Sequence, residues 1–495
     1  MLTFLILIGI AIFTSSLIPA ENLALNKIPI RHYVSFEKIN TPDTDVPMGF
    51  LGLYYLVDIT SWFNAGMVSY SAISGNQGGL FTLGLISSTR LPISQKLMLD
   101  AGLSFGGGGG NLWTGNGSLW RYHSGILYQF ERFNLGVYIS QVTFPDSKIS
   151  GNQLGLAVEL PSSILIARPT NINHTETKLP IIINGNDIHI RFSQNQFSLI
   201  QQNYIQKTGT ASIDGTPQDE IIRLVGFEIM HSLRPGLFLL LKTAGALGGI
   251  RHGYMDIMAG AGFSKTIPGR GINYYSKLSV GAGGGARVET AGGLLLDLRV
   301  GLGFKILPNL SLDLAGGYLG SQSGNLQALT TTSMISYHLK NAGLSEYPVL
   351  ESKNSIYIYK AWAVRIFDQV YKNPKRLNLK VNDNVRLLGI KFDHLLTQWV
   401  YISGQGMFAY SGENVGGLAV GLLGIGLQHP PIFNKHIKLH LELAGGAAGG
   451  GHLALGEGAI FQPSTGITFY LNQYLGIQYS IGQIRALGHE LKTSV

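Results

Sequence analysis

Long segments of strictly alternating apolar and polar residues constrain this chain more than any other feature. In one segment Leu97, Leu99, Ala101, Leu103 and Phe105 fall on one face, opposite Lys96, Met98, Asp100, Gly102 and Ser104. Comparable segments run from Leu294 to Lys305 and from His436 to Leu443. A period of two residues is that of a β-strand. These strands would span about 10 to 13 residues, whereas strands of soluble domains average about 5 or 6.

Their length predicts a membrane-spanning sheet. About ten residues tilted near 45° cross the hydrocarbon core of a bilayer, and only helices and closed barrels can do so without leaving backbone groups unpaired. After residue 20 the sequence has no unbroken apolar run of the length, about 18 residues, that a transmembrane helix needs. A secreted β-sandwich or solenoid array is the soluble alternative, but its strands would be shorter and its turns richer in polar residues.

The long strands, short turns such as Leu307-Pro308-Asn309 and an uncharged apolar N-terminus together resemble a Gram-negative outer-membrane β-barrel. The resemblance is one of architecture and names no particular family. It implies a location in the cell outer membrane of a Gram-negative bacterium. It also implies outer-membrane lipid, lipopolysaccharide and the barrel assembly machinery as partners.

Composition fits this class and excludes several others. Glycine accounts for 66 of 495 residues and lies inside apolar runs, and charged residues make up 13% where about a quarter is typical. The chain has no cysteine, which excludes a disulfide framework, a thiolate metal site and a cysteine nucleophile. Residues Leu2 to Pro19 carry no charge, so residues 1–20 are predicted to be a signal peptide, with a retained membrane anchor as the alternative.

Three copies of one strand module account for most of the chain. Each copy has a glycine-rich segment, at Gly106–Gly110, Gly281–Gly285 and Gly445–Gly451. We therefore divide the chain into a periplasmic segment (21–47), repeat 1 (48–163), an insert (164–221), repeat 2 (222–338), an insert (339–384) and repeat 3 (385–495). The predicted fold is all-β, with the three repeats closing one large antiparallel transmembrane β-barrel of about 18–22 strands.

Each insert is predicted to contain a short helix. In the second insert the apolar residues follow helical spacing, at Tyr359, Trp362, Ala363, Ile366, Phe367 and Val370. The first insert has a weaker version, at Phe197, Ile200, Tyr204 and Ile205. Such helices would cover an open end of the barrel, plug its lumen or lie on the membrane surface.

Two local motifs suggest chemistry that their context does not support. Gly281 to Ala286 matches a dinucleotide-binding pattern, but a strand follows it where the pattern requires a helix. His123 and Ser124 could suggest a barrel lipid hydrolase, but adjacent strand residues point to opposite faces. We therefore predict no enzymatic activity, no cofactor and no metal site.

Charged residues on the inward faces form the candidate site. Aligning the glycine-rich segments gives a set predicted to line the lumen and set its selectivity: Asp100, Arg121, His123, Lys277, Asp297, Arg299 and Glu442. The leading hypothesis is a channel or transporter for small hydrophilic or anionic solutes, to which a net charge of +8 adds long-range attraction. The alternative is a plugged structural or surface-interaction barrel for adhesion or envelope assembly, and a lipid-modifying enzyme is a third. No basic run interleaved with aromatic residues indicates nucleic-acid binding.

Overall fold

A computed structural model describes most of the chain after residue 24. The described residues are 25–41, 46–110, 114–167, 178–180, 189–218, 220–247, 253–345, 356–358, 362–377, 383–432, 436–472, 475–487 and 491–495. The predicted signal peptide lies outside them. All 26 elements of regular structure in these ranges are β-strands. The described part of the chain contains no helix long and apolar enough to cross a membrane.

The strands form three units of eight. The first unit contains β1 (Leu25–Ile39), β2 (Met48–Asp58), β3 (Phe63–Ser74), β4 (Phe81–Pro92), β5 (Leu97–Gly109), β6 (Ser118–Gln129), β7 (Asn134–Thr143) and β8 (Ser150–Ala167). The second contains β10 (His189–Gln206), β11 (Ile222–Arg234), β12 (Leu237–Ala246), β13 (Met255–Ile267), β14 (Ile272–Gly284), β15 (Leu294–Leu307), β16 (Leu310–Ser321) and β17 (Gln327–Ser345). The third contains β19 (Trp362–Tyr371), β20 (Val385–Leu395), β21 (Val400–Ser411), β22 (Ala419–Gln428), β23 (Ile437–Gly449), β24 (Ala459–Tyr470), β25 (Gly476–Ala486) and β26 (Lys492–Ser494). Two short strands, β9 (Lys178–Pro180) and β18 (Ile356–Ile358), pair with each other between the units.

The first two units are closed antiparallel barrels. In the first, β1 pairs with both β2 and β8, so that Glu37 lies opposite Phe50 on one side and Gly155 on the other. In the second, β10 closes the ring with β17. The third unit is an eight-stranded sheet whose edges meet at one end, where the Lys372 amide donates to the Ser494 carbonyl at 3.1 Å.

The prediction of one barrel of about 18–22 strands is therefore wrong. The units do not share a wall, because in the first two units the first strand pairs with its own eighth strand, and among the described residues no first strand pairs with the preceding unit. This closing contact joins residues far apart in the chain, such as Val34 and Val158. Alternation within a strand carries no information about which distant strand completes the ring.

The predicted helices are also wrong. Residues 194–206 belong to β10, and the second insert supplies β19, which pairs along its length with β20. The predicted periplasmic segment, 21–47, contains β1 (Leu25–Ile39). Each segment set aside as a leader or insert thus contains the first strand of a unit. Tyr359 lies outside the described residues.

Most charged residues of the strands point inward, among apolar ones, and the outer faces are largely apolar, which is the reverse of a soluble barrel. Along β7 and β8 the inward Tyr138, Ser140 and Glu159 are buried, whereas the outward Ile139 and Leu154 are 67% and 65% exposed. Water would penalise so much exposed apolar surface, while lipid would not. The outer surface of the barrels therefore matches a bilayer.

The two ends of each unit differ. We call the end at which β5, β14 and β23 finish in their glycine-rich segments the glycine end, and the opposite end the turn end. Hairpin connections within a unit are short at the turn end (59–62, 93–96 and 130–133 in the first unit) and longer at the glycine end (40–47, 110–117). β8 and β17 also end at the turn end, from which longer segments lead to the next unit. An apolar cluster fills each interior towards the glycine end, exemplified by Phe50 and Phe144 in the first unit, Leu224 and Leu295 in the second and Leu387 in the third.

Glycines bring the units into contact at the glycine end. A Cβ on Gly79 would lie 2.4 Å from the Gly285 nitrogen, and one on Gly109 would lie 2.3 Å from the Gly417 nitrogen. No other residue type would allow backbones this close. Contacts of this kind between units were not predicted from the sequence.

The contacts between units follow a cyclic pattern. The third strand of the first unit touches the fifth and sixth of the second (β3 with β14 and β15), and the third strand of the second unit touches the fifth of the third (β12 with β23). The third strand of the third unit touches the fifth and sixth of the first (β21 with β5 and β6). One repeated head-to-tail contact that closes after three units gives a pseudo-three-fold axis.

Candidate functional site

The predicted site residues all point inward, as expected from the alternation. They occupy the fifth and sixth strands of their units and are buried: Asp100, Arg121, His123, Lys277, Asp297, Arg299 and Glu442. The structure does not bring them together around one lumen. It divides them among three separate interiors, each of which has its own ionic cluster.

In the first barrel two buried arginines pair with three carboxylates. Arg121 Nε donates to Glu37 Oε1 at 2.8 Å, and Ser140 donates to the other oxygen of Glu37. Nearer the turn end, Arg90 donates two hydrogen bonds to Glu159, one of them at 3.0 Å, and its Nε lies 3.4 Å from Asp100. These side chains are at most 3% exposed, so protein groups replace the water that would otherwise solvate them.

The second barrel contains a chain of six alternating charges, which we call the ion chain: Asp256, Lys242, Asp297, Arg299, Glu228 and Lys277. Lys242 Nζ lies 3.1 Å from Asp256 and 3.7 Å from Asp297, and Arg299 Nε lies 3.0 Å from Asp297. Arg299 also donates to Glu228 at 2.8 Å, and Lys277 donates to the other oxygen of Glu228. Three acids and three bases, each at most 1% exposed, leave the chain neutral and shielded from external solvent.

The third unit has a more open interior. Glu442 accepts hydrogen bonds from Lys391 and from the Tyr401 hydroxyl, the latter at 2.8 Å. Arg365 on β19 pairs with Asp393 on β20, yet the Arg365 side chain is 24% exposed, whereas Arg299 in the second barrel is 0% exposed. The difference follows from the short β26, which pairs with β25 only at 483–485 among the described residues.

Several cluster members were missed by the sequence analysis. Glu37 and Arg365 lie on the first strands of their units, which fall in the predicted periplasmic segment and in the second predicted insert. Glu159, Glu228 and Lys391 lie within the predicted repeats. The missed signal was a charged residue at an inward position between two outward apolar ones, as in Val158-Glu159-Leu160. The same signal occurs in Phe227-Glu228-Ile229 and in Ile390-Lys391-Phe392, on strands that do not flank the glycine-rich segments.

The motifs with suggested chemistry remain structural. His123 points inward, 3.9 Å from Asp100, while the neighbouring Ser124 faces outward. In the third unit His440 Nε2 lies 3.2 Å from the Ser480 hydroxyl, but it also lies 3.0 Å from the Gln478 amide nitrogen, so the ring is engaged twice. Gly283 to Gly285 lie at the end of β14 and in the loop that follows it. The described residues contain no group of three or more His, Asp or Glu that could hold a metal ion.

Comparisons with known proteins return barrels but no family. No protein-family model matches the chain, and no curated protein matches it. It is similar to the outer membrane protein opdK from Pseudomonas aeruginosa (10% identity, 92% of this chain and 98% of that one, TM-score 0.22). It is also similar to the NanC porin (8% identity, 63% of this chain and 100% of that one, TM-score 0.16). A mutant of the ferric enterobactin receptor PfeA from Pseudomonas aeruginosa is similar at 9% identity over 96% of this chain and 81% of that one, with a TM-score of 0.27.

Similarities at this level carry no argument about function. The barrel architecture is established by the strand pairing and by the apolar outer surface of the chain itself. The resemblance to Gram-negative outer-membrane β-barrels drawn from the sequence is confirmed at that level of architecture.

Proposed function

We propose that this chain is an integral outer-membrane protein whose three units form a closed, non-conducting scaffold. The glycine end faces the outside of the cell, and the turn end faces the periplasm. The observation that carries the proposal is that the ionic clusters of the first two barrels are at most 3% exposed and that an apolar cluster fills each interior towards the glycine end. Short turns at one end and longer loops at the other support this orientation, because outer-membrane barrels carry their short turns on the periplasmic side.

A scaffold uses its surfaces rather than its interiors. The loops of three units meet at the glycine end, where they present one joined surface to lipopolysaccharide or to partners in adhesion or envelope assembly. Insertion would depend on the barrel assembly machinery. No catalytic arrangement is part of this proposal.

Single-channel recording tests the proposal. Protein refolded into detergent, and shown to be folded by its shift on unboiled gels, should give no steady conductance in planar bilayers. Steady ohmic conductance that changes ion selectivity in the Asp297→Asn variant would overturn it, because a conducting second barrel cannot have an ion chain shielded from external solvent.

Passage of small hydrophilic or anionic solutes through the third unit is the second candidate. It is favoured by the 24% exposure of Arg365 and by the partial pairing of β26. If the third unit conducts, Arg365→Glu should shift any conductance from anion towards cation preference. Arg299→Gln in the second barrel should leave the selectivity unchanged. Equal effects of the two changes would count against passage through this unit alone.

A further inference from the structure

The fourth strand of each unit faces the pseudo-three-fold axis. β3 and β5 flank β4 and contact different neighbouring units. The same positions flank β13 in the second unit and β22 in the third, because the contacts repeat cyclically. The outward side chains of these three strands therefore surround one central space.

That space is sealed at the glycine end and open towards the turn end. Near the glycine end Phe81 packs in one cluster with Ile257 and Ala419 from the other two units. Further along the same strands four apolar outward residues are uncovered: Leu91, Phe263, Ile425 and Leu427 are 55%, 49%, 54% and 56% exposed. Ser87 and Thr89 share the outward face of β4 with Leu91. The units thus diverge and leave a central recess walled by these four residues.

The mouth of the central recess is positively charged. Each fourth strand leads into a turn, at 93–96, 268–271 and 429–436, and no Asp or Glu occurs in any of the three. Lys96 and Arg270 lie in two of these turns, His429 lies in the third, and Lys265 lies on the outward face of β13 just beyond Phe263; all four are exposed. Apolar walls below three exposed cations, Lys96, Lys265 and Arg270, match the two ends of an anionic lipid.

We infer that the central recess binds an anionic glycerophospholipid of the inner leaflet. Its acyl chains lie against Leu91, Phe263 and Ile425, and its phosphate lies at the turn end beside Lys96, Lys265 and Arg270. The inference rests on the proposed placement in the outer membrane with the turn end towards the periplasm.

Lipid retention tests the inference. The chain is reconstituted into nanodiscs containing equal dioleoylphosphatidylglycerol and dioleoylphosphatidylcholine, extracted in mild detergent, and analysed by mass spectrometry for lipid that stays bound. Wild-type protein should retain phosphatidylglycerol in preference. The triple variant Lys96→Gln, Lys265→Gln, Arg270→Gln should lose that preference by on the order of a hundredfold, since each cation contributes about fivefold near an anionic surface.

A matched control removes three cations from the glycine end: Lys148→Gln, Lys207→Gln and Arg223→Gln. It should leave the preference unchanged. Ala261→Trp on the outward face of β13 should reduce retention of both lipids while all cations remain. Retention of phosphatidylcholine equal to that of phosphatidylglycerol, or an equal effect of the two triple variants, would overturn the inference.

Flotation of the same samples with liposomes separates the two proposals. Protein that does not float contradicts the placement in a membrane. Protein that floats but retains no lipid leaves that placement standing and overturns the central recess as a lipid site.

Discussion

The ion chain of the second barrel gives the sharpest prediction, through the substitution Glu228→Gln. Glu228 accepts from both Lys277 and Arg299, and all three side chains are at most 1% exposed. The substitution keeps the volume of the side chain and removes its charge. It converts a neutral group of three acids and three bases into one with a net charge of +1 inside the barrel.

The cost follows from the burial of the two cations. Breaking a buried ion pair by removing one partner costs about 3–5 kcal/mol, and two unit charges 4 Å apart interact by about 4 kcal/mol at an effective dielectric constant of 20. Because Glu228 serves two cations, we expect a loss of about 4–5 kcal/mol in the free energy of unfolding. A domain with a total stability of about 5–15 kcal/mol would become marginal.

Urea unfolding of the refolded protein in lipid, followed by the gel shift and by circular dichroism, measures this loss. The double variant Glu228→Gln, Lys277→Met restores a neutral cluster and should recover most of the stability. The control is Asp214→Asn, an exposed acid in the same unit whose carboxylate lies 3.2 Å from Arg287; it should cause no measurable change. A loss below about 1 kcal/mol for Glu228→Gln would refute the reasoning, because it would mean that water solvates the interior.

Two further substitutions test the contacts between units and the lipid-facing surface. Gly79→Ala should destabilise the protein by about 1–3 kcal/mol more than Gly209→Ala in a thermal gel-shift assay. Both glycines have φ near +90°, but only Gly79 has a neighbouring unit, at Gly285, within 4 Å of the added Cβ. Equal losses of stability in the two variants would contradict this close approach. Ile139→Arg on the outward face of β7 should lower the free energy of unfolding by about 2–4 kcal/mol when the protein is refolded into liposomes. Ile213→Arg, in a glycine-end loop, should lower it little. Equal tolerance of the two substitutions would argue against a bilayer around β7.

Sequence alone predicted the strands and their faces well. The alternating segments at 96–105, 294–305 and 436–443 coincide with β5, β15 and β23, and Asp100 and Arg121 point inward as the alternation requires. This succeeds because period two is a local property, visible within ten residues. The inward charge at each of these positions could therefore be read directly.

Strand closure could not be predicted because it is not local. The pairing of Val34 with Val158, or of Leu199 with Ile335, depends on which distant edge is free. β19 shows a second reason. Its ten residues are too few to separate a helical from a strand period, and Arg365 and Phe367 share an inward face that helical spacing would have split.

Closure of the first two units into separate barrels can be tested directly with engineered disulfides. The chain contains no cysteine, so a pair introduced at Val34 and Val158 can react only with itself. The Cα atoms of strand partners lie about 4.5–5.5 Å apart, within the range that a disulfide spans. We expect rapid intramolecular cross-linking of this pair, and of Leu199 with Ile335, in membranes. Absence of both cross-links in folded protein, with Val158→Cys reacting instead with a cysteine placed in β10, would contradict the three-barrel account and restore a single large barrel.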